Sequence, residues 1–234
     1  MAVVSLDLDG TLVTCPEPRE RSFEHARDEA DLSVPLPPVE PYRSAFHESL
    51  LGRFPERAPD APVRRRALRR AFESAGTAVS DADIAAFADA YRRRRLDRLI
   101  PMDGAEALLD ALSATHAVVV VTNGPAELQR EKLDRTGLTA RVDALAVAGC
   151  CGTAKPDPTL FEIAFERAGE SMASAVHVGD ARFDVEGAIA AGLDPIFLRP
   201  GPVPEWLPAD VPTCRSLDAV RRLILDDSPH SASG

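Results

Sequence analysis

Lysine is nearly absent from this sequence of 234 residues, because only Lys132 and Lys155 occur among its 27 basic residues. Acidic residues outnumber the basic ones, 37 to 27, which gives a formal net charge of −10. A protein with this charge is repelled by nucleic acids and by anionic membranes. We therefore expect neither as a partner, and we expect the two lysines to occupy positions where an ammonium group matters.

Cysteine is also scarce, and its four residues form neither a Cys-x-x-Cys pair nor a group with zinc-ligand spacing. Reduced, structural thiols are therefore expected. No segment approaches the roughly 18 apolar residues that cross a membrane, and the amino terminus lacks the basic region and long hydrophobic stretch of a secretion signal. These absences predict a soluble, cytoplasmic protein.

The order of the predicted elements separates the chain into two patterns. A short strand at residues 3–6 is followed by helical spacing of apolar residues without any strand signal. The helices in this region are predicted at 41–52, 61–76 and 81–99. Beyond residue 100 the two element types alternate, with strands predicted at 116–121, 144–148, 175–178 and 195–198, and helices at 105–114, 125–136, 158–168, 184–191 and 217–225. Such alternation predicts an α/β fold with three layers around a parallel sheet, interrupted by a helical insert.

Two carboxylates, Asp7 and Asp9, lie one residue apart where the first apolar run breaks into the turn Gly10-Thr11. Parallel sheets place their ligands at the carboxyl ends of strands, so Asp7 is expected at a reactive edge. An Asp-Gly pair is also common in surface turns. This segment alone leaves both interpretations open.

Polar residues also follow the second core strand, which ends in Thr122, Asn123 and Gly124. A hydroxyl and a turn with free backbone N–H groups can hold a phosphate oxygen, although the same residues can simply cap the next helix. Further along, Lys155 precedes a helix. Phosphoryl transfer needs a cation close to the reacting group, whereas most loop lysines are exposed to solvent.

The predicted strand at 175–178 leads into Gly179 and Asp180, and Asp184 follows near the start of a helix. Magnesium binds one or two carboxylates together with water and phosphate oxygens, and Asp7 and Asp180 can supply such ligands from different strands. Asp184 alternatively complements the positive end of the helix dipole.

Together these four motifs resemble, in order and spacing, those of the haloacid dehalogenase-like hydrolase superfamily, in the subgroup with a helical cap inserted after the first motif. The resemblance implies a Rossmann-like, doubly wound core domain at residues 1–14 and 99–225. It also implies a small, all-helical cap domain at 15–98. The polar residues 226–234 are expected to form a flexible tail.

The resemblance further implies a role for each motif residue. Asp7 would be the nucleophile that forms an aspartyl-phosphate, and Asp9 would act as general acid and then as general base. Thr122 and the backbone of Asn123 would bind the phosphoryl oxygens, and Lys155 would neutralise their charge.

The same resemblance implies a magnesium site on Asp7, the Asp9 carbonyl and Asp180. Asp184 would orient the metal shell or Lys155. The remaining supporting residues are Thr11, which would fix the loop, and Gly179.

Within the family, Asp9 favours phosphate esters, since members that cleave carbon–halogen bonds need no proton donor there and lack it. Members that cleave phosphonates use a cap lysine, and none precedes Lys132. We therefore expect a magnesium-dependent phosphatase acting on a small phosphorylated metabolite. A sugar-phosphate mutase of the same family is the alternative, and a non-catalytic phospho-ligand binding protein is less favoured. Neither the metabolite nor the oligomeric state is indicated.

The cap region also contains runs of arginine, at 64–66, 69–70 and 92–95. Consecutive residues point around the whole circumference of a helix, so most of these side chains are expected to face water. The alternative is that some of them recognise a second anionic group on the substrate. Arg19, Arg21, His25 and His47 are not assigned to the site.

Overall fold

The structure is a computed structural model that describes residues 2–51 and 60–226. The strands are β1 (Ala2–Leu6), β2 (Val13–Thr14), β3 (Ile100–Pro101), β4 (His116–Thr122), β5 (Ala144–Val147), β6 (Val176–Gly179), β7 (Asp194–Leu198) and β8 (Thr213–Cys214). The helices are α1 (Arg19–Glu29), α2 (Val39–Leu51), α3 (Asp60–Ser74), α4 (Asp81–Asp97), α5 (Ala105–Leu112), α6 (Ala126–Arg135), α7 (Ala148–Cys151), α8 (Thr159–Ala168), α9 (Arg182–Ala190) and α10 (Leu217–Asp226).

Six strands form one parallel sheet in the order β5-β4-β1-β6-β7-β8. The chain runs outward from β1 to β4 and β5 on one side and then to β6 on the other, so the direction of winding reverses at β1. Ligand sites of doubly wound sheets lie at such a switch point, outside the carboxyl ends of the strands. The expected α/β fold is confirmed.

Strand β4 packs against helices on both faces of the sheet. Val118 and Val120 pack in one apolar cluster with residues of α5 and α10, whereas Val119 and Val121 pack in another with residues of α8. Successive side chains of a strand point to opposite faces, so an uninterrupted valine run is suited to a strand buried between two helical layers.

Helices α1 to α4 come between β2 and β3 in the sequence, and we call them the helical insert. They have an apolar cluster of their own. Its aromatic members include Phe23, Phe72, Phe87 and Tyr91. The rings of Phe23 and Phe87 meet edge to face at 5.3 Å, the geometry that aromatic quadrupoles favour. Strand β2 precedes the insert and β3 follows it. The two strands pair antiparallel and so hold the two connections to the insert side by side.

The structure differs from the sequence-based prediction in a few elements. Helix α1 was not predicted, because only Ser22, Phe23 and Ala26 of its 11 residues are buried and its apolar pattern is correspondingly weak. Strands β2, β3 and β8 have two residues each, too few to show a period. The expected tail lies outside the described residues from 227 onward. No helix of the described segments is long and apolar enough to cross a membrane.

Candidate active site

Two central strands, β1 and β6, bring the predicted acidic residues to one edge of the sheet. Asp7 follows β1 and its backbone N–H donates to the carbonyl of Val178 at 2.9 Å, which continues the ladder between β1 and β6. Asp180 follows β6, and Asp184 lies in the first turn of α9. One carboxylate oxygen from each of these three residues lies within 4.8 Å of the others.

Lys155 occupies the centre of this group, although it belongs to a loop. The residue is only 2% exposed. Its ammonium group donates to Asp7 Oδ1 at 2.6 Å, to Asp184 Oδ1 at 2.5 Å and to the carbonyl of Val121 at 2.7 Å. Burial opposes the charged form, but Asp184 and Asp7 outweigh it and raise the pKa of Lys155. Lys155 is therefore a buried cation with all three donors used.

Asn123 fixes the backbone of Lys155. Its side-chain amide donates to the Lys155 carbonyl at 3.0 Å and accepts from the Lys155 N–H at 2.9 Å. This two-way pairing joins the loop after β4 to the loop before α8. The sequence suggested a role for the backbone of Asn123, and the structure adds this one for its side chain.

The acidic group carries more negative charge than Lys155 can balance. Burial, and after it the neighbouring Asp184 and Asp180, raise the pKa of Asp7 to about 8 even though Lys155 opposes the shift. Burial and Asp184 likewise raise the pKa of Asp180 to about 6. Asp184 is also desolvated, but Lys155 and His177 hold its pKa below the ordinary value. A further cation at this position would favour the ionised forms of Asp7 and Asp180.

The donor set fits a magnesium ion. Asp7, Asp180 and Asp184 offer carboxylate oxygens, the hard ligands that Mg²⁺ prefers. Two glycines make this packing possible. A Cβ atom at Gly10, whose φ is +88°, would lie 2.3 Å from Asp180 Oδ2, and one at Gly179 would lie 2.4 Å from Asp184 Cβ.

Asp9 is bound by helix α6 instead of joining this acidic group. Its two oxygens accept from Lys132 Nζ at 2.7 and 2.5 Å, and Gln129 Nε2 donates to Asp9 Oδ2 at 2.9 Å. Desolvation by the surrounding protein raises the pKa of Asp9, but Lys132 and Gln129 outweigh it and bring that pKa below its ordinary value. The side chain of Asp9 is 50% exposed.

Gln129 and Lys132 were not assigned to the site from the sequence. Gln129 is buried and also donates to Thr122 Oγ1 at 2.6 Å and to the Asn123 carbonyl at 3.1 Å. Lys132 Nζ in turn donates to Gln129 Oε1 at 2.7 Å. The two residues lie three apart on α6, hence on one face, directly after the Thr122-Asn123 turn. This spacing, together with the rarity of lysine, is the feature of the sequence that could have identified these two residues.

Thr11 lies in the turn that carries the chain away from Asp9. It is fully buried, and its hydroxyl has no hydrogen-bond partner among the described residues. The turn is closed by backbone bonds, with the Gly10 N–H donating to the Val13 carbonyl at 2.9 Å and the Leu12 N–H to the Leu8 carbonyl at 2.9 Å.

A cavity of about 910 Å³ separates the acidic edge of the sheet from the helical insert. Asp9, Lys132 and Asp180 line it from the sheet side, and Arg19, Tyr91 and Arg95 line it from the insert side. The site thus opens into a space large enough for a small organic molecule.

The arginine runs are less solvated than the sequence suggested. Arg65, Arg66, Arg70 and Arg93 are exposed as expected. Arg64, in contrast, is buried and donates to Asp60 Oδ1 at 2.6 Å and to the Tyr42 hydroxyl at 2.9 Å. Further ion pairs within the helical region join Arg65 to Asp89, Arg69 to Asp81, Arg70 to Glu48, Arg92 to Asp60, Arg93 to Glu29 and Arg94 to Glu17. Most of these arginine side chains therefore have a carboxylate partner in the insert or in the segment that leads into α1.

A family model described as haloacid dehalogenase-like hydrolase matches residues 1–192. The chain belongs to this family. It is 30% identical over 233 residues to the phosphoglycolate phosphatase of Caulobacter vibrioides, which covers 95% of this chain and 91% of that protein. It is also 39% identical over 146 residues to the phosphoserine phosphatase of Thermus thermophilus, covering 62% of this chain and 57% of the relative.

Several curated relatives of this haloacid dehalogenase-like hydrolase are matched over about half of their length only, the Thermus protein among them. Among solved structures, a 2-haloacid dehalogenase from Pseudomonas syringae pv. Tomato superposes with a TM-score of 0.70 at 27% sequence identity. The superposition covers 97% of this chain and 100% of the dehalogenase. The comparisons thus include relatives of both phosphatase and dehalogenase type.

Proposed function

We propose that the protein is a magnesium-dependent phosphatase that hydrolyses a small-molecule phosphate monoester through an aspartyl-phosphate on Asp7. The observation that carries this proposal is the position of Asp7. Its carboxylate lies at the carboxyl end of the central strand, 2.6 Å from a buried ammonium and beside two further carboxylates. The names of the phosphatase relatives support the same reaction class.

In the first step, an oxygen of Asp7 attacks the phosphorus atom, and the bond from phosphorus to the ester oxygen breaks. Protonated Asp9 gives its proton to the departing alcohol oxygen. Thr122 and the backbone after β4 hold the phosphoryl oxygens, while Lys155 offsets their charge. Because Lys132 favours the ionised form of Asp9, this carboxyl must first take up a proton from water before it acts as an acid.

In the second step, water attacks the phosphorus atom of the aspartyl-phosphate and Asp9 takes the proton of that water. The bond from phosphorus to Asp7 then breaks, which regenerates the carboxylate and releases inorganic phosphate. The lowered pKa of Asp9 suits this step, since a base must be ionised when the water arrives.

Asp7, Asp180 and the carbonyl of Asp9 are the proposed ligands of Mg²⁺, with Asp184 holding Lys155 beside them at 2.5 Å. When bound there, Mg²⁺ supplies positive charge that stabilises the negative phosphoryl oxygens. We further propose that residues 15–98 form the cap domain over a core at residues 1–14 and 99–225. A cytoplasmic metabolite is the proposed substrate.

Two features favour a phosphatase over a dehalogenase on the same fold. Displacement of halide from carbon needs no proton donor, yet Asp9 is present and is bound by two residues of α6. Attack on carbon also needs no divalent cation, whereas two further carboxylates, those of Asp180 and Asp184, lie beside Asp7. Both features have a use in phosphoryl transfer.

The test is phosphate release from a panel of small phosphate monoesters, with and without Mg²⁺. The native protein is compared with Asp7→Asn and with the control Asp194→Asn, whose exposed carboxylate lies at the opposite, amino end of β7. We expect Mg²⁺-dependent release that falls by at least about 1000-fold in Asp7→Asn, because an amide does not replace the nucleophile. Asp194→Asn should keep native activity.

Activity retained by Asp7→Asn would refute the mechanism. A mutase would instead show little net release of phosphate and would interconvert sugar-phosphate isomers when primed with a bisphosphate. Absence of both activities in a folded protein would favour a non-catalytic binder.

A further inference from the structure

The arginines that line the cavity differ in whether their charge is already neutralised. Three of them have carboxylate partners, since Arg64 and Arg92 bind Asp60, and Arg43 binds Glu40 at 2.9 Å. Arg19 makes no ion pair with any residue that the structure describes. Its guanidinium donates one hydrogen bond, to the neutral hydroxyl of Tyr91 at 3.2 Å.

Arg95 is the other arginine of the cavity that has no carboxylate partner among the described residues, but its Nη1 is bound to the chain before and within α1. It donates to the backbone carbonyl of Glu17 at 2.6 Å and to the hydroxyl of Ser22 at 3.4 Å. Arg95 thus holds the segment that leads into α1. Among the described residues, Arg19 therefore differs from the other four in making neither an ion pair nor a hydrogen bond to the backbone, and only one of its five N–H donors is used.

Arg19 is exposed, but one hydrogen bond ties its guanidinium to a buried side chain. The Tyr91 hydroxyl that accepts from it belongs to a side chain that is only 1% exposed. The Tyr91 ring packs edge to face on Phe23 at 4.9 Å and on Tyr42 at 5.5 Å. A guanidinium anchored to such a rigid group loses less conformational entropy when it binds a ligand.

The position of Arg19 relates it to the proposed chemistry. It lines the same cavity as Asp9 and Asp180, but from the insert side. A phosphoryl group at Asp7 would direct its leaving group past Asp9 into the cavity that Arg19 faces.

We propose that Arg19 binds a second anionic group, a carboxylate or a second phosphate, on the leaving-group part of the substrate. The proposal rests on the phosphatase function and narrows its substrate to phosphate esters that carry another anion. A guanidinium suits this role because its planar fork of N–H groups matches either anion with two parallel hydrogen bonds. Specificity for the anion then comes from the insert and not from the catalytic edge.

Binding of non-hydrolysable phosphonates tests the proposal without relying on turnover. The probes are phosphonoacetate, 1,2-ethylenediphosphonate and the neutral-tailed 2-hydroxyethylphosphonate, measured by calorimetry in the presence of Mg²⁺. The variant is Arg19→Met, which keeps an unbranched apolar stem. The matched control is Arg21→Met on the same helix, where the side chain is 74% exposed and pairs with Glu24.

We expect the native protein to bind at least one anionic probe about 10-fold or more tightly than the neutral probe. Arg19→Met should reduce that preference to less than about threefold, while Arg21→Met retains it. The anionic probe that loses affinity identifies the group as carboxylate or phosphonate. Arg19→Lys should restore part of the preference, since the charge returns without the fork.

The proposal is overturned if the native protein shows no preference, or if the preference survives in Arg19→Met. Phosphate release from esters is measured in parallel and separates the two ideas. Turnover without an anion preference would leave the phosphatase function standing and remove the role of Arg19. An Arg19-dependent preference without turnover would support the anion site and remove the phosphatase function.

Discussion

The two lysines of the chain, Lys155 and Lys132, both bind aspartates of the first motif, but in different surroundings. Lys155 and its partners Asp7 and Asp184 are almost fully buried. Lys132 is 14% exposed, and its partner Asp9 is half exposed. An ion pair shielded from water is strongly coupled to the folded state, whereas one in contact with water is screened. The two lysines therefore allow a buried lysine–aspartate ion pair to be compared with a partly exposed one.

We predict that Lys155→Met destabilises the protein by about 3–5 kcal/mol, because it leaves buried carboxylates without their cation. Lys132→Met, the matched control, should cost less than about 1 kcal/mol, because water can solvate Asp9. Urea unfolding followed by circular dichroism in Mg²⁺-free buffer measures both values. Equal losses in the two variants would contradict the assignment of Lys155 as the electrostatic centre of the site.

Proton release from Asp7 and Asp180 should control the affinity for Mg²⁺. Their pKa values are raised to about 8 and to about 6, so protons compete with the cation over this range. Binding of Mg²⁺ should therefore tighten as the pH rises from about 5 to about 8. Calorimetric titration at several pH values measures the trend. An affinity that does not change with pH would contradict it.

The raised pKa of Asp7 also makes the stability of the protein depend on pH. The folded-state pKa of Asp7 lies above its ordinary value of 3.8, so Asp7 remains protonated in the folded protein while the unfolded chain ionises. Its contribution to stability in the absence of metal thus falls as the pH rises from about 4 to about 8. Asp7→Asn should remove this contribution and flatten that part of the pH profile in buffer containing a chelator.

At the level of elements, Glu17 connects the approach to α1 with helix α4. Its carboxylate accepts from Arg94 Nε at 2.9 Å and from the Ser22 hydroxyl at 2.9 Å. The hydrogen bond from Arg94, with that from Ser22, lowers the pKa of Glu17 from 4.5 to about 2 although partial desolvation opposes the shift. The pairing therefore favours docking of α1 onto α4 whenever Glu17 is ionised.

We predict that Glu17→Gln lowers the melting temperature at pH 7 and that the loss shrinks toward pH 2. The sign follows from the lowered pKa, since a carboxyl ionised below its ordinary range stabilises above about pH 4.5 and loses that effect as the pH falls to about 2. Thermal unfolding monitored by circular dichroism tests this. Glu24→Gln is the control, because among the described residues the one ion pair of Glu24 is with the exposed Arg21. A loss independent of pH would indicate a steric cause.

The sequence predicted the sheet and most of its helices because their apolar residues repeat with a clear period, as in the valine run of β4. It also predicted Asp7, Thr122 and Asp180 at one edge, because each lies at the carboxyl end of a strand of a parallel sheet. Lys155 lies beside Asp7 at 2.6 Å, but its burial was not expected of a loop residue. Asn123 binds the backbone of Lys155 in this loop, a contact between residues 32 apart in the sequence.

Other contacts of the site could not be predicted in this way. Gln129 and Lys132 reach Asp9 because of how α6 packs against the sheet, and Arg19 faces the cavity because of how α1 packs on α4. Neither packing angle is encoded in a periodic pattern. Helix α1 itself shows too few apolar residues for recognition.

At the scale of the whole molecule, the sheet layers and the helical insert have separate apolar clusters. Phe87 belongs to the cluster of the insert, whereas Phe161 belongs to the cluster between α8 and the sheet. Ion pairs join the two parts through helices α4 and α6, namely Arg92 with Glu131 and Asp97 with Arg135. Both pairs are accessible to solvent and contribute little to stability. We therefore expect the two parts to unfold with substantial independence.

Phe87→Ala tests this expectation. Phe87 is fully buried and contacts the rings of Phe23 and Phe72, so its truncation should cost about 3–5 kcal/mol within the insert. Hydrogen exchange followed by mass spectrometry should then show lost protection in α1, α2, α3 and α4, with protection retained in β1, β4 and β6. The reciprocal variant Phe161→Ala should weaken the sheet first. A uniform loss across both parts in Phe87→Ala would mean that the insert and the sheet unfold as one unit, and would remove the proposed boundary at residues 15–98.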